Sequence, residues 1–161
     1  MEDKHIELLH SSWDQFKEGD LLENGAHTYF RLFSKYPTAK DLFNFHDNDE
    51  ITLENFRQNE KFCFHLKMVF KETIANVIKS LNDLMDLAAL VPFLQELGGR
   101  HHTRGITKYF DAFGECLYYA LERKLGSDFT PEVKEAWVVL FGIIETNMKI
   151  GMSQQAKKED A

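Results

Sequence analysis

Apolar residues recur every three or four positions along most of the chain, the spacing of one face of an α-helix. No stretch shows the sustained alternation of apolar and polar residues that is typical of a β-strand. The first such face contains Ile6, Leu9, Trp13 and Phe16, and the last contains Val133, Trp137, Leu140, Phe141, Ile144 and Met148. The pattern therefore predicts an all-α protein of about seven to eight helices.

Turn-forming residues divide this pattern into helices and loops. A second predicted helix has an apolar side that consists of Leu22, Gly25, Tyr29, Leu32, Phe33 and Tyr36. Pro37 ends this helix and can begin a short turn of another. The polar, acidic run 44–55 is predicted to be a loop, and Thr130–Glu132 is a strong start signal for the last helix. Residues 1–152 are predicted to form one domain, and 153–161 a polar, frayed tail.

The segment from about Phe56 to Leu81 is predicted to be a single long helix with two adjacent apolar faces. The first face is a core stripe of Leu66, Phe70, Ile74, Val77 and Leu81. The second face contains Phe62, His65 and Val69. Such a helix has more than one partner to pack against, and its second face carries a histidine among apolar residues.

The stretch 90–105 places another histidine at the end of an apolar helix face. Its stripe consists of Leu90, Leu94 and Leu97. The next position on this face is His101, whereas His102 is rotated by about 100° and is predicted to face solvent. A lone histidine of this kind is more often a hydrogen-bonded core residue. Two histidines that face one cavity, His65 and His101, would form a metal or haem site.

Composition narrows the classes of protein that the chain could belong to. Its 161 residues suit one domain, and a net charge of −7 argues against nucleic acid or an anionic membrane as the main partner. We expect no signal peptide and no membrane span. Cys63 and Cys116 match no zinc or disulfide pattern, so a reducing, cytoplasmic location is expected.

Glycines inside predicted helices bear on packing. Gly25 costs about 1 kcal/mol against alanine. We expect that this glycine allows a crossing helix to approach closely. The alternative is that the helix merely tolerates a glycine at this position. Gly98 and Gly99 come just before His101 and are expected to soften that helix.

Four stretches, by their order and spacing, resemble the globin family. They are YFRLFSKYPTAKDLF (Tyr29–Phe43), FCFHLKMV (Phe62–Val69), LGGRH (Leu97–His101) and DFTPEVKEAW (Asp128–Trp137). The resemblance extends from about Trp13 to Met148. It is closer to neuroglobins, cytoglobins and invertebrate nerve or tissue haemoglobins than to vertebrate blood haemoglobin chains. It implies the globin fold, with helices packed around haem b (iron protoporphyrin IX).

The resemblance also assigns roles around the haem. His101 matches the proximal histidine, and its second ring nitrogen is expected to donate a hydrogen bond to a backbone carbonyl, with Leu97 the expected source. His65 matches the distal histidine, so His101 and His65 are the candidate iron ligands. An alternative register would make His102 the ligand. Phe43, Val69, Leu97 and Ile106 are the expected porphyrin contacts, although each could equally be plain core.

The distal side of this site is expected to hold two polar groups, Tyr29 and His65. Either could donate a hydrogen bond to oxygen and slow its release. For Tyr29 the alternative is a buried tyrosine bonded elsewhere in the core. Cations near the haem propionates could be Lys67, Arg100, Arg104 and His46, each of which could equally be an ordinary solvated residue. Cys63 is expected to face away from the iron and to be inert.

The resemblance implies reversible oxygen binding for storage or transport, with CO and NO as further ligands, and not an enzyme. The alternative is a six-coordinate, bis-histidyl globin in redox signalling or nitric oxide dioxygenation, which would need a reductase. A homodimer is also possible from the sequence. A helical scaffold without a cofactor is a weaker interpretation, since it leaves His65, His101 and Tyr29 unexplained.

Overall fold

The computed structural model describes residues 1–43, 50–82, 84–101 and 109–160, and only the backbone of 84–87. Over these ranges the chain forms α-helices, shorter helical turns and loops, and no strand. The α-helices are α1 (Asp3–Lys17), α2 (Leu21–Lys35), α3 (Glu60–Leu66), α4 (Ala75–Ser80), α5 (Leu84–His101), α6 (Phe110–Leu125) and α7 (Pro131–Glu159). The predicted all-α class is confirmed. Among the described residues, no helix is both long and apolar enough to cross a bilayer.

The predicted helix over 56–81 begins later and changes from α to π winding partway along its length. Phe56–Gln58 is a short 3-10 helix, and the side-chain oxygen of Asn59 then caps α3 by accepting from the Phe62 amide at 3.0 Å. Lys67–Ile74 is a π-helix, here called the π segment, which joins α3 to α4 without a break. Both predicted faces are nevertheless present, because the core stripe is buried and the second face is at least half-buried.

The last helix begins where the sequence predicts it and ends later than expected. The Thr130 hydroxyl accepts from the Val133 amide at 3.3 Å, and Pro131 is the first helical residue. The expectation of a frayed tail is wrong, since α7 continues to Glu159. Packing explains the difference, because Gly151 and Met152 are buried at the point where the polar tail was expected to begin. The division into a domain and a tail stays a prediction.

α5 and α7 approach each other so closely that their backbones are in contact. A Cβ atom on Gly98 would collide with the backbone of Met148, and a Cβ atom on Gly151 would collide with the backbone of Gln95. Gly98 is therefore required for packing, and the expectation that it only softens α5 is incomplete. Its neighbour Gly99 has room for a methyl group, since its nearest contact is 3.6 Å away, at the Gly151 carbonyl oxygen.

The opposite end of α7 packs against α1. The indole nitrogen of Trp137 donates to the Ser12 hydroxyl at 2.9 Å, and the rings of Trp13 and Trp137 lie 6.2 Å apart. A third close contact involves α2, where a Cβ atom on Gly25 would lie 2.6 Å from the ring of Phe70 in the π segment. The expected close approach of a crossing helix at Gly25 is confirmed.

Candidate functional site

His101 is the last residue of α5 and is half-buried. Its Nδ1 atom lies 2.7 Å from the carbonyl oxygen of Leu97, so the expected hydrogen bond is confirmed. A carbonyl oxygen can only accept, so Nδ1 carries the proton. In a neutral ring the lone pair then lies on Nε2, the nitrogen farther from the backbone. This is the tautomer of a histidine that binds a metal through Nε2.

His65 and Tyr29 form a hydrogen-bonded pair between α3 and α2. Nε2 of His65 lies 2.8 Å from the Tyr29 hydroxyl oxygen, and the two rings meet edge to face at a centroid distance of 5.1 Å. Only 2% of Tyr29 is exposed, and this burial raises the pKa of its hydroxyl. The hydroxyl therefore keeps its proton at any physiological pH. The hydroxyl is thus bonded to the other predicted distal residue, and its role toward a bound ligand stays a prediction.

Aromatic rings surround this pair. The Phe43 ring lies 5.0 Å from the His65 ring and 5.7 Å from the Tyr29 ring, in both cases edge to face. Three further rings contact Tyr29, those of Phe33, Phe62 and Phe113. Such a shell excludes water and fixes the tyrosine ring independently of its hydroxyl group.

Two further predicted site residues lie in other helical segments of the chain. Val69 lies in the π segment and Leu97 in α5, and both are half-buried. The described hydrogen bonds and ring contacts place Tyr29, Phe43 and His65 in one group, and Leu97 and His101 in another. The contact of each residue with a porphyrin stays a prediction.

Several candidates cannot be compared with the structure. Ile106, the alternative ligand His102, and the cations His46 and Arg104 lie outside the described residues. The other two candidate cations, Lys67 and Arg100, are exposed.

Two features of the site were missed in the sequence. Phe113 lies in α6 and takes no part in the predicted site, yet its ring packs 5.6 Å from that of Tyr29. The sequence carries no signal for this contact, because it joins positions that are far apart in the chain. The π segment, which directly follows α3 and its His65, has no signature in the residue pattern.

Cys63 takes no part in the pair, although it lies close to His65 in the sequence. Its half-buried thiol donates to the carbonyl oxygen of Phe56 at a Sγ–O distance of 3.3 Å. The side chain thus points back toward the preceding 3-10 helix. The expectation that Cys63 faces away from the iron stays a prediction.

The all-helical fold and the two histidine groups agree with the resemblance to the globins that the four stretches of sequence show. Comparison with known families gives the same class, since the sequence model of the family described as Globin matches residues 26–148. This chain belongs to the globin family. Globins are haem proteins, and haem is accordingly the cofactor of this chain.

Curated relatives and a solved structure agree with this assignment. Neuroglobin-1 of Oncorhynchus mykiss is 28% identical over 156 residues, which cover 96% of this chain and 94% of that protein. Neuroglobin of Chaenocephalus aceratus is 28% identical over 158 residues, covering 98% and 96%. A crystal structure of a hexacoordinated haem protein from an anhydrobiotic tardigrade has a TM-score of 0.76 at 22% identity, covering 95% and 96%. The resemblance to neuroglobin is therefore confirmed.

Proposed function

We propose that this globin binds haem iron through His101 and binds oxygen reversibly, for storage or transport, beside His65 and Tyr29. The observation that carries the proposal is the 2.7 Å hydrogen bond between Nδ1 of His101 and the Leu97 carbonyl oxygen. It fixes the tautomer and the ring orientation that an iron ligand needs.

The chain's own groups on the distal side would act as hydrogen-bond donors. Haem iron supplies the binding of oxygen and of other diatomic ligands such as CO and NO. The Tyr29 hydroxyl keeps its proton, and an aromatic shell surrounds it, where a hydrogen bond is stronger than in water. Tyr29 and His65 are therefore expected to slow the release of oxygen.

A six-coordinate globin in redox signalling or nitric oxide dioxygenation is the second candidate. The tardigrade protein with the similar fold is described as hexacoordinated, and His65 offers a second imidazole. Dioxygenation would also need a separate reductase. Reversible binding requires no such partner, and for this reason we place it first. A homodimer and a cytoplasmic location stay predictions.

Haem reconstitution of matched histidine variants tests the proximal ligand. Wild-type protein is expected to take up haem stoichiometrically, with a sharp Soret band. His101→Gly is expected to weaken haem retention strongly, and added imidazole is expected to restore the band by occupying the space of the lost ring. Retention is measured as the rate of haem transfer to an excess of an apo-globin acceptor.

His102→Gly is the matched control, because it removes the adjacent imidazole. It is expected to retain haem like the wild type. If His102→Gly loses haem while His101→Gly keeps it, the alternative register is correct. A wild-type protein that takes up no haem would contradict the proposed function altogether.

A further inference from the structure

The nitrogen of His65 that reaches farthest from α3 is already engaged. Nε2 lies 2.8 Å from the Tyr29 hydroxyl oxygen, whereas Nδ1 is the ring nitrogen nearer the backbone. A second iron ligand from this helix would use the farther nitrogen, as His101 would in the proposed function. The same atom of His65 therefore has two competing uses.

Either tautomer of His65 leads to the same conflict. If Tyr29 donates, its proton occupies the Nε2 lone pair that a metal requires. If Nε2 carries the proton, the nitrogen must lose it before it can bind a metal, and the Tyr29 oxygen loses its donor. In both cases the hydrogen bond has to break before His65 can become a ligand.

We infer that Tyr29 is a positioning residue that holds His65 away from the iron and so sets the balance between five- and six-coordinate haem. The inference rests on the proposed function, in which His101 binds the iron. It assigns to Tyr29 a role that does not depend on contact between Tyr29 and a bound ligand.

The packing around Tyr29 makes this role separable from a structural one. Its ring is fixed by the rings of Phe43, Phe62 and Phe113, with centroid distances of 5.7, 5.9 and 5.6 Å. The Tyr29→Phe variant retains these contacts and removes only the hydroxyl oxygen. The ring of His65 also keeps its edge contact with Phe43, so the variant removes the hydroxyl partner of Nε2 without emptying the pocket.

The test measures iron coordination in Tyr29→Phe. Visible spectra of the ferrous, ligand-free protein distinguish one broad band, which indicates five-coordinate iron, from two sharp bands, which indicate bis-histidyl iron. Competition between CO and His65 after flash photolysis gives the coordination equilibrium constant even when one form dominates. Loss of one net hydrogen bond is expected to raise that constant about five- to tenfold in favour of the six-coordinate form.

Two variants serve as controls. His65→Leu defines the purely five-coordinate spectrum. Tyr118→Phe makes the same chemical change at another buried tyrosine, which packs against Phe141, and is expected to leave the constant unchanged. Thermal midpoints of the apoproteins show whether either tyrosine variant has lost general stability.

The outcomes separate this inference from the proposed function. A constant that is unchanged or lower in Tyr29→Phe, with haem still bound through His101, would overturn the inference and leave the proposed function intact. An equal rise in Tyr118→Phe would also overturn it, because the effect would not be specific to His65. Absence of haem uptake by the wild type would overturn both.

Discussion

At the scale of single residues, the Ser12 hydroxyl takes part in one hydrogen bond within α1 and in one that joins α1 to α7. Its hydroxyl donates to the Leu8 carbonyl oxygen at 2.6 Å and accepts from the Trp137 indole at 2.9 Å. Ser12→Ala would leave the buried indole N–H without its acceptor. We expect the free energy of unfolding to fall by about 1–3 kcal/mol, measured by urea denaturation followed by circular dichroism.

Ser11→Ala is the matched control for this prediction. Ser11 is exposed and donates only to the same Leu8 carbonyl, at 3.2 Å. Its replacement is expected to change stability by less than about 0.5 kcal/mol. Equal losses in the two variants would show that the indole bond contributes nothing specific.

Local hydrogen bonds could be predicted at this scale and distant ones could not. The bond between His101 and Leu97 follows from helical spacing, since residues four apart lie one above the other on the same face. The bond between Ser12 and Trp137 joins positions 125 residues apart, and only the packing of α1 on α7 brings them together. The hydrogen bond between Tyr29 and His65 could be predicted only in part. The resemblance placed both groups on the distal side, but it did not predict their contact.

At the scale of elements, the crossing of α5 and α7 depends on Gly98, the first glycine of the pair that precedes His101. Gly98→Ala would drive a methyl group into the Met148 backbone, which cannot move as a flexible side chain can. We expect a loss of about 1–3 kcal/mol in the free energy of unfolding, net of the gain in helix propensity. Urea denaturation of the apoprotein measures it.

Gly99→Ala is the internal control, because it makes the same change one residue further on. Its added Cβ atom would lie 3.6 Å from the Gly151 carbonyl oxygen, an ordinary contact. The variant is expected to be unchanged or more stable by up to about 1 kcal/mol, since alanine is the better helix former. If Gly98→Ala is as stable as Gly99→Ala, the backbone contact is not as close as described.

The ends of helices show which information the pattern of apolar residues does not contain. The start of α7 was predictable because Thr130 and Pro131 act locally. Its end was not, because the polar residues after Met152 continue a helix whose buried positions are held by α5. The π segment was missed because the apolar spacing from Leu66 to Ile74 also fits an ordinary α-helix.

At the scale of the whole molecule, His27 is expected to make stability depend on pH. Burial lowers the pKa of its imidazole, the nearby Arg123 lowers it further, and Glu23 opposes this shift. Below about pH 6.5 the unfolded chain therefore binds a proton that the folded chain resists. The contribution of His27 to the free energy of unfolding is therefore expected to be complete above about pH 6.5. It is expected to be lost as the pH falls toward the lower pKa of the folded state.

Two variants isolate this contribution. His27→Gln is expected to flatten the pH dependence of the free energy of unfolding between pH 7 and pH 5. Arg123→Gln removes the second cause of the shift and is expected to give an intermediate slope. Three identical slopes in urea denaturation across this range would contradict the assignment to His27.

The global architecture was predictable because the signals for it are redundant. Several helical faces and four family-like stretches agree on one fold, so an error at a single boundary changes little. The haem contacts lack this redundancy, since each depends on one residue in one register, as with His101 and His102. Local hydrogen bonding identifies the tautomer of His101, and only the bound cofactor would complete the set of contacts.

The pairing of Trp13 with Trp137 has an optical consequence. These are the only two tryptophans of the chain, and their rings lie 6.2 Å apart where α1 meets α7. Intrinsic fluorescence therefore reports on one junction and not on an average over the protein. A change in emission at constant ellipticity would signal that the first and last helices have separated while the helices themselves persist.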